Sequence, residues 1–413
     1  MKSLRRVAIT GVGIVSPIGV DKKDFCLAIH NGQSGTKRIS SFNASSYPTQ
    51  VAGEILNFDP VDFMSLKEAR RMDRSSQMIV SAALMAIEDA QLQFTGDMSR
   101  YAVLTGTAVG GQAWAFREYD IFREKGLKRI NPFTAISTFP NASSAHISTL
   151  LGLKGISDTI SSGCVSSTIA LGYALDNIRS GRADVALLGG TEAPLDPGIF
   201  GAYCASRVMT SENLVPTSVP RPFDLRRDGI VLSEGAAVLV CEQLERALNR
   251  GARIYAEIAG WSHCSDPHSM MMMNPDGERA TAVMKEALTD AKILPGEVDY
   301  VQAHASGSVA DDKTEVLGLR NVFGERIDVL PIVSMKSMLG HTQGACGAIE
   351  AVAAAICIGK QTIPRSINCE NLDPACAANI NRLAPIDAPI RSALLNTFGF
   401  GGKLASVILK AVN

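Results

Sequence analysis

The chain has 413 residues, 46% of them apolar and only 6% aromatic, enough to bury a large core in two or three units or in two fused halves of one α/β fold. A formal net charge of −1 removes the general electrostatic argument for a nucleic-acid or membrane-surface partner. Nine scattered cysteines without CxxC pairs or His-rich spacing point away from a zinc site or a disulfide framework, and toward reduced thiols in a cytoplasm. The start of the chain does not resemble a signal peptide, because Arg5-Arg6 runs at once into a strand and a glycine turn. The longest apolar run, Ala348 to Ile358, contains Glu350 and is too short to span a bilayer.

In chain order, short β-branched runs predict strands at Val7 to Gly11, Ala102 to Gly106, Val185 to Gly190, Ala236 to Val240, Val298 to Val301 and Ala405 to Leu409. Helical patterns lie between them at Gln77 to Gln91, Ser166 to Ser180 and Glu278 to Ala291. This alternation predicts packed α/β layers with largely parallel sheets. There is also an internal echo. Ser161-Ser162-Gly163-Cys164 opens one Ala-rich helix, and Leu339-Gly340-His341 leads into another, Ala345 to Ile358. Two similar halves joined around residues 250–260 would bring the starts of those helices together. The run Met270 to Met273 reads as flexible packing.

Cys164 stands between a short strand and a helix. A helix N-terminus lowers a thiol's pKa, and its free amides can hold an oxyanion. The other reading is a small buried hydrophobe, which suits the remaining eight cysteines. His304 follows a strand and starts the turn Ala305-Ser306-Gly307-Ser308, while His341 precedes the second Ala-rich helix. Both are placed where α/β proteins carry reactive groups, although a histidine beside glycine is often structural. His30, His146, His263 and His268 have no such context. Lys336 and Glu350 lie in so apolar a neighbourhood that they should pair, whether for structure or for catalysis. The cluster Phe398-Gly399-Phe400-Gly401-Gly402 would let backbone amides approach a reacting group, or simply form a hairpin; without a Lys-Ser ending it is not a phosphate loop.

Taken in order, these segments resemble the elongating β-ketoacyl-ACP synthases across essentially the whole chain. The resemblance rests on Arg6-Val7-Ala8-Ile9-Thr10-Gly11-Val12-Gly13, the Cys164 elbow, Arg221-Pro222-Phe223-Asp224 and Ser233-Glu234-Gly235-Ala236. It continues in Ala303-His304, Lys336-Ser337-Met338-Leu339-Gly340-His341 and the Phe-Gly-Phe-Gly-Gly loop. It implies a thiolase-like fold, five-layered α-β-α-β-α, with one half at 1–255 carrying the cysteine and the other at 256–413 carrying both histidines. It also implies a dimer. Cys164 would carry the acyl group, and the amides of Cys164 and Phe400 would form the oxyanion hole. His304 and His341 would promote malonyl decarboxylation, Lys336 and Glu350 would support them, and Phe400 would gate the acyl pocket. No metal or organic cofactor would take part, since phosphopantetheine arrives on the substrate. An acidic acyl carrier protein would dock on Lys67, Arg70, Arg71 and Arg74, expected together on one helix, with Arg207 contributing. By the same analogy 113–116, 133–136 and 199–203 would shape the acyl tunnel.

Three positions depart from housekeeping fatty-acid enzymes: Gly163, Ala305-Ser306-Gly307 and Lys403-Leu404. Gly163, the missing Thr-Asn after Gly402, and Asp373-Pro374-Ala375-Cys376 are more similar to ketosynthase α subunits of type II polyketide systems. This leans the expectation toward a polyketide or specialised fatty-acyl pathway, with a chain-length-factor homologue able to replace one copy of a homodimer. A thiolase would need a second cysteine in the 399–402 loop, and an initiating synthase would have Asn in place of His341. A non-catalytic tunnel-shaping partner would have lost Cys164.

Overall fold

The computed structural model describes residues 4–412, and a single mixed sheet of ten strands runs through them. In chain order the strands are β1 (Val7–Val15), β2 (Tyr101–Gly106), β3 (Ser157–Ile160), β4 (Val185–Glu192) and β5 (Gly235–Gln243). They continue with β6 (Ala256–Ser265), β7 (Tyr300–Gln302), β8 (Ile332–Val333), β9 (Ser392–Gly399) and β10 (Lys403–Lys410). Their spatial order is β8-β7-β9-β10-β6-β1-β5-β4-β2-β3. Counted from its own first strand, each set of five runs third, second, fourth, fifth, first. Strand directions repeat as well: the outer pairs β2–β3, β2–β4, β7–β8 and β7–β9 are parallel. The inner pairs β4–β5, β5–β1, β9–β10 and β10–β6 are antiparallel. The internal echo in the sequence is thus a full topological repeat, whereas the expectation of largely parallel sheets is corrected to a mixed one. A short buried strand reads as the same apolar run in either direction, so sequence periodicity carries no polarity.

The two sets meet where β1 lies beside β6, a seam of only two residue pairs, Ala8 with Glu257 and Ile9 with Ala256. Helices complete the layers. On one outer face α1 (Arg74–Asp89) and α2 (Ala142–Leu151) cover the first set. In the middle α3 (Ser166–Arg179) and α6 (Cys346–Lys360) touch strands of both sets, and α4 (Glu278–Asp290) and α5 (Asp311–Phe323) lie over the second. Three apolar clusters fill the spaces, the largest around α3 and α6. Every residue of α6 from Cys346 to Ile358 is buried, which explains a run apolar on all sides. The starts of the two middle helices abut as expected: Ala348 N–H donates to Ser167 Oγ at 3.0 Å, and a Cβ at Gly347 would lie 2.0 Å from Thr168 Oγ1. No helix among the described residues is long and apolar enough to cross a membrane.

The expected cationic helix is not continuous. Ser65 caps a short helix at Leu66–Ala69, and Asp73 then caps α1 by accepting from the N–H groups of Ser75 and Ser76. Lys67, Arg70 and Arg71 are exposed. Arg74 instead turns inward, donating to Glu234 at 2.6 and 2.9 Å and to the Ile55 carbonyl at 2.7 Å. Its guanidinium is thus paired with Glu234 while the side chain stays 39% exposed, which sets it apart from the unpaired neighbours expected beside it.

Candidate active site

Strand β3 ends in a tight elbow. Gly163 has φ +63°, a conformation costly for any side-chain-bearing residue, and Ser166 Oγ donates to its carbonyl at 2.6 Å while accepting from Ser162 N–H at 2.8 Å. Cys164 is thereby fixed just ahead of α3, with its thiol facing the backbone N–H groups of Phe400 and of Cys164 itself. Phe400 is at the tip of the hairpin that joins β9 to β10. A Cβ at Gly402 would sit 1.9 Å from the Asp266 carbonyl, so the turn is pressed against the loop after β6. The glycine cluster is therefore both a hairpin and a wall of the site.

The two histidines come from the second set of strands. His304 follows β7 and His341 follows a short helix, Lys336–Leu339; their rings are edge-on with centroids 5.3 Å apart. Both share with Cys164, Phe400 and Arg207 one cavity of about 400 Å³. Burial, then the Lys336 charge, holds each imidazole well below its usual pKa, so both are neutral at pH 7. His341 Nδ1 accepts the Gln343 N–H at 3.2 Å, which leaves Nε2 to carry the proton. Lys336 Nζ donates to Glu350 Oε1 at 2.5 Å in full burial, while Glu350 Oε2 has no partner. Burial pushes Glu350 up to about 7 against the pull of Lys336; burial alone would lower Lys336, and Glu350 reverses that.

One electrostatic expectation is reversed. Burial pushes the Cys164 thiol up to about 12; Lys336 opposes this, Glu192 adds to it, and the two backbone N–H groups offset only part. Desolvation outweighs the helix terminus, so the resting enzyme holds a thiol and not a thiolate. Alkylation of Cys164 by iodoacetamide should then rise about tenfold per pH unit from roughly pH 7 to 9, because the reactive thiolate fraction grows at that rate below the pKa. A plateau near neutrality in the rate of mass gain would show a stabilised thiolate instead.

Several positioning residues escaped the sequence reading. Glu315, on α5, accepts the N–H groups of His304 and Ala305 at 2.9 and 2.8 Å and the Asn396 amide at 3.0 Å. Asp312, one turn earlier, accepts from Ser306, Gly307 and Phe223, tying the Arg221-Pro222-Phe223-Asp224 segment to the histidine turn. The spacing of Asp312 and Glu315 on one helix face directly after His304 was the available signal. Glu192, at the end of β4, accepts from the N–H groups of Ala108, Val109 and Gly344 and so links the two sets of strands behind Cys164. The methionine run also differs from expectation: Met273 is buried, but Met270 to Met272 are exposed, and Met271 and Met272 line the cavity. Of the tunnel segments only Tyr203 lines this cavity, whereas Ala113, Trp114 and Phe116 line a separate groove.

The models for the β-ketoacyl synthase N-terminal and C-terminal domains match residues 4–247 and 255–370. The chain belongs to the β-ketoacyl synthase family. Among its relatives, the 3-oxoacyl-[acyl-carrier-protein] synthase 2 of Coxiella burnetii is 37% identical over 409 residues, covering 99% of both chains. Two solved ketosynthases have the same fold. One is a type II polyketide synthase acyl-carrier protein in complex with its ketosynthase bound to the hexaketide (TM-score 0.91, 32% identity, 99% of this chain and 100% of that one). The other is the ishigamide ketosynthase/chain length factor (TM-score 0.92, 32% identity, 100% of both). The thiolase-like architecture inferred from the motifs is therefore that of this ketosynthase, and its repeated topology is the one described above.

Proposed function

We propose that this ketosynthase is an acyltransferase that catalyses decarboxylative condensation of an acyl thioester on Cys164 with malonyl-ACP, in type II polyketide or fatty-acid biosynthesis. The observation that carries the reading is the convergence, in one cavity, of a thiol facing two backbone amides with two neutral imidazoles. In the first step the Cys164 sulfur bonds to the acyl carbon and the carrier's C–S bond breaks. The thiol proton leaves with the departing pantetheine thiol. In the second, the malonyl C–C bond breaks and carbon dioxide leaves. The electron pair is held as an enolate by N–H donation from His304 and His341, with no proton needed from either. The enolate carbon then attacks the acyl carbon. The amides of Cys164 and Phe400 hold the oxyanion, and the C–S bond breaks to release Cys164, which regains a proton. Lys336 with Glu350 positions the histidines, and Phe400, at the hairpin tip, gates the pocket. The chemistry uses no metal or organic cofactor in this reading.

An acyl carrier protein would dock on the exposed Lys67, Arg70 and Arg71 and on Arg207, which is exposed at the cavity. The solved ketosynthase in complex with its acyl-carrier protein supports such a carrier, and the ketosynthase/chain length factor supports a chain-length-factor homologue as partner. A dimer of two copies and a place in the cytoplasm belong to the same proposal. The test is intact mass after incubation with a series of acyl-carrier proteins, followed by peptide mapping. An acyl adduct on Cys164 is expected. No adduct with any chain, alone or with candidate partner subunits, would sink the reading and favour a tunnel-shaping subunit.

A further inference from the structure

Gln343 is 1% exposed and lines the cavity that holds Cys164; its amide faces the Tyr203 hydroxyl without closing a hydrogen bond within 3.5 Å, and neither Nε2 nor Oε1 has another partner among the described residues. Its backbone lies at φ +43°, the left-handed region that favours glycine or asparagine. A buried amide whose one polar neighbour stands beyond hydrogen-bond distance keeps much of the desolvation cost of its two polar ends, and an apolar side chain of similar length would carry none. Strain and unmet polarity together at a cavity wall point to a group waiting for a ligand. Tyr203 lines the same wall, its hydroxyl toward the Gln343 amide and near the Cys164 thiol. The space around the nucleophile thus offers an amide donor, an amide acceptor and a phenol.

We propose that Gln343, with Tyr203, selects acyl chains that carry a carbonyl or hydroxyl oxygen within the first few carbons of the thioester over fully reduced chains. A 3-oxo group accepts from Nε2, and a hydroxyl can also donate to Oε1; a methylene in the same place leaves both unmet. The inference rests on the condensing reading above and narrows its substrate class. It also separates two roles in one residue: the Gln343 N–H fixes the His341 tautomer, and the side chain reads the acyl group.

The test is a competition in one tube between 3-oxobutanoyl-ACP and butanoyl-ACP, with the two Cys164 adducts resolved by intact mass. The protein is run as wild type, Gln343→Met and Tyr203→Phe. Wild type should favour the oxygenated chain by at least about tenfold, and Gln343→Met should bring the ratio to within about twofold of one. Equal or reversed preference in wild type, or an unchanged ratio in a folded Gln343→Met, overturns the proposal. If Gln343→Met does not fold, Tyr203→Phe decides: the ratio should fall by at least about threefold, and an unchanged ratio overturns it. Absence of both adducts would take the condensing reading down as well, whereas preference for butanoyl would leave that reading standing and remove only this one.

Discussion

A Cys164→Ala enzyme should take up no acyl group and lose condensation by at least about 10⁴-fold, since no second nucleophile faces the two amides. Malonyl-ACP decarboxylation should persist in that variant, because the proposed mechanism places the enolate on the histidines and not on Cys164. His341→Ala should show the converse. Acylation of Cys164 should continue, and decarboxylation should fall by about 10²- to 10³-fold, the usual effect of losing one donor to a developing oxyanion. The same split is expected of His304→Ala. Carbon dioxide release and intact mass, measured on the same samples, separate the two half-reactions. An acyl adduct on Cys164→Ala, or undiminished carbon dioxide release by His341→Ala, would remove the assignment of these roles.

Lys336→Met should destabilise the protein by about 3–5 kcal/mol, the cost of leaving one partner of a buried pair charged and alone. Glu350 is on a helix buried on every side, with one oxygen already unpaired, so nothing nearby can replace Nζ. The loss should shrink at low pH. Burial raises Glu350 and Lys336 opposes the rise, so removing Lys336 raises it further; the penalty is absent near the ordinary carboxylate pKa and grows as pH climbs toward the raised value. The double variant Lys336→Met/Glu350→Leu should recover most of the stability. Urea unfolding at pH 5 and pH 8 checks all three statements. A double variant as unstable as the single would mean that packing, and not charge, makes the pair indispensable.

The sequence pointed to Cys164, His304, His341, Lys336 and Phe400 by their places at strand ends or ahead of helices, to Glu350 by its apolar surroundings, and to all six by an order that matches one family. The structure gathers Cys164, His304, His341 and Phe400 around one cavity and pairs Lys336 with Glu350. The groups that hold them were not legible. Glu192, Asp312 and Glu315 act by accepting backbone N–H groups, and a backbone donor has no letter in the sequence. Gln343 was invisible for the opposite reason: its significance is an amide buried at the cavity wall with only the Tyr203 hydroxyl to face, which only the packed cavity reveals. The thiol's acidity was misjudged because the helix terminus is a local feature, whereas desolvation is set by residues far along the chain. Arg74 shows the same limit. Beside Arg70 and Arg71 it looks like part of a basic patch, but its partner, Glu234, is 160 positions away.

The hairpin joining β9 to β10 is made last as the chain leaves the ribosome. Cys164 emerges well before His304, His341 and Phe400, and the amide of Phe400 reaches the thiol only when the last hairpin closes onto the elbow. A chain that stops short of the hairpin carries the thiol without the Phe400 amide, and one that stops before residue 304 lacks both histidines as well. Truncated products should be inert toward carrier thioesters, so unfinished copies cannot drain the acyl pool of the cell that is making them.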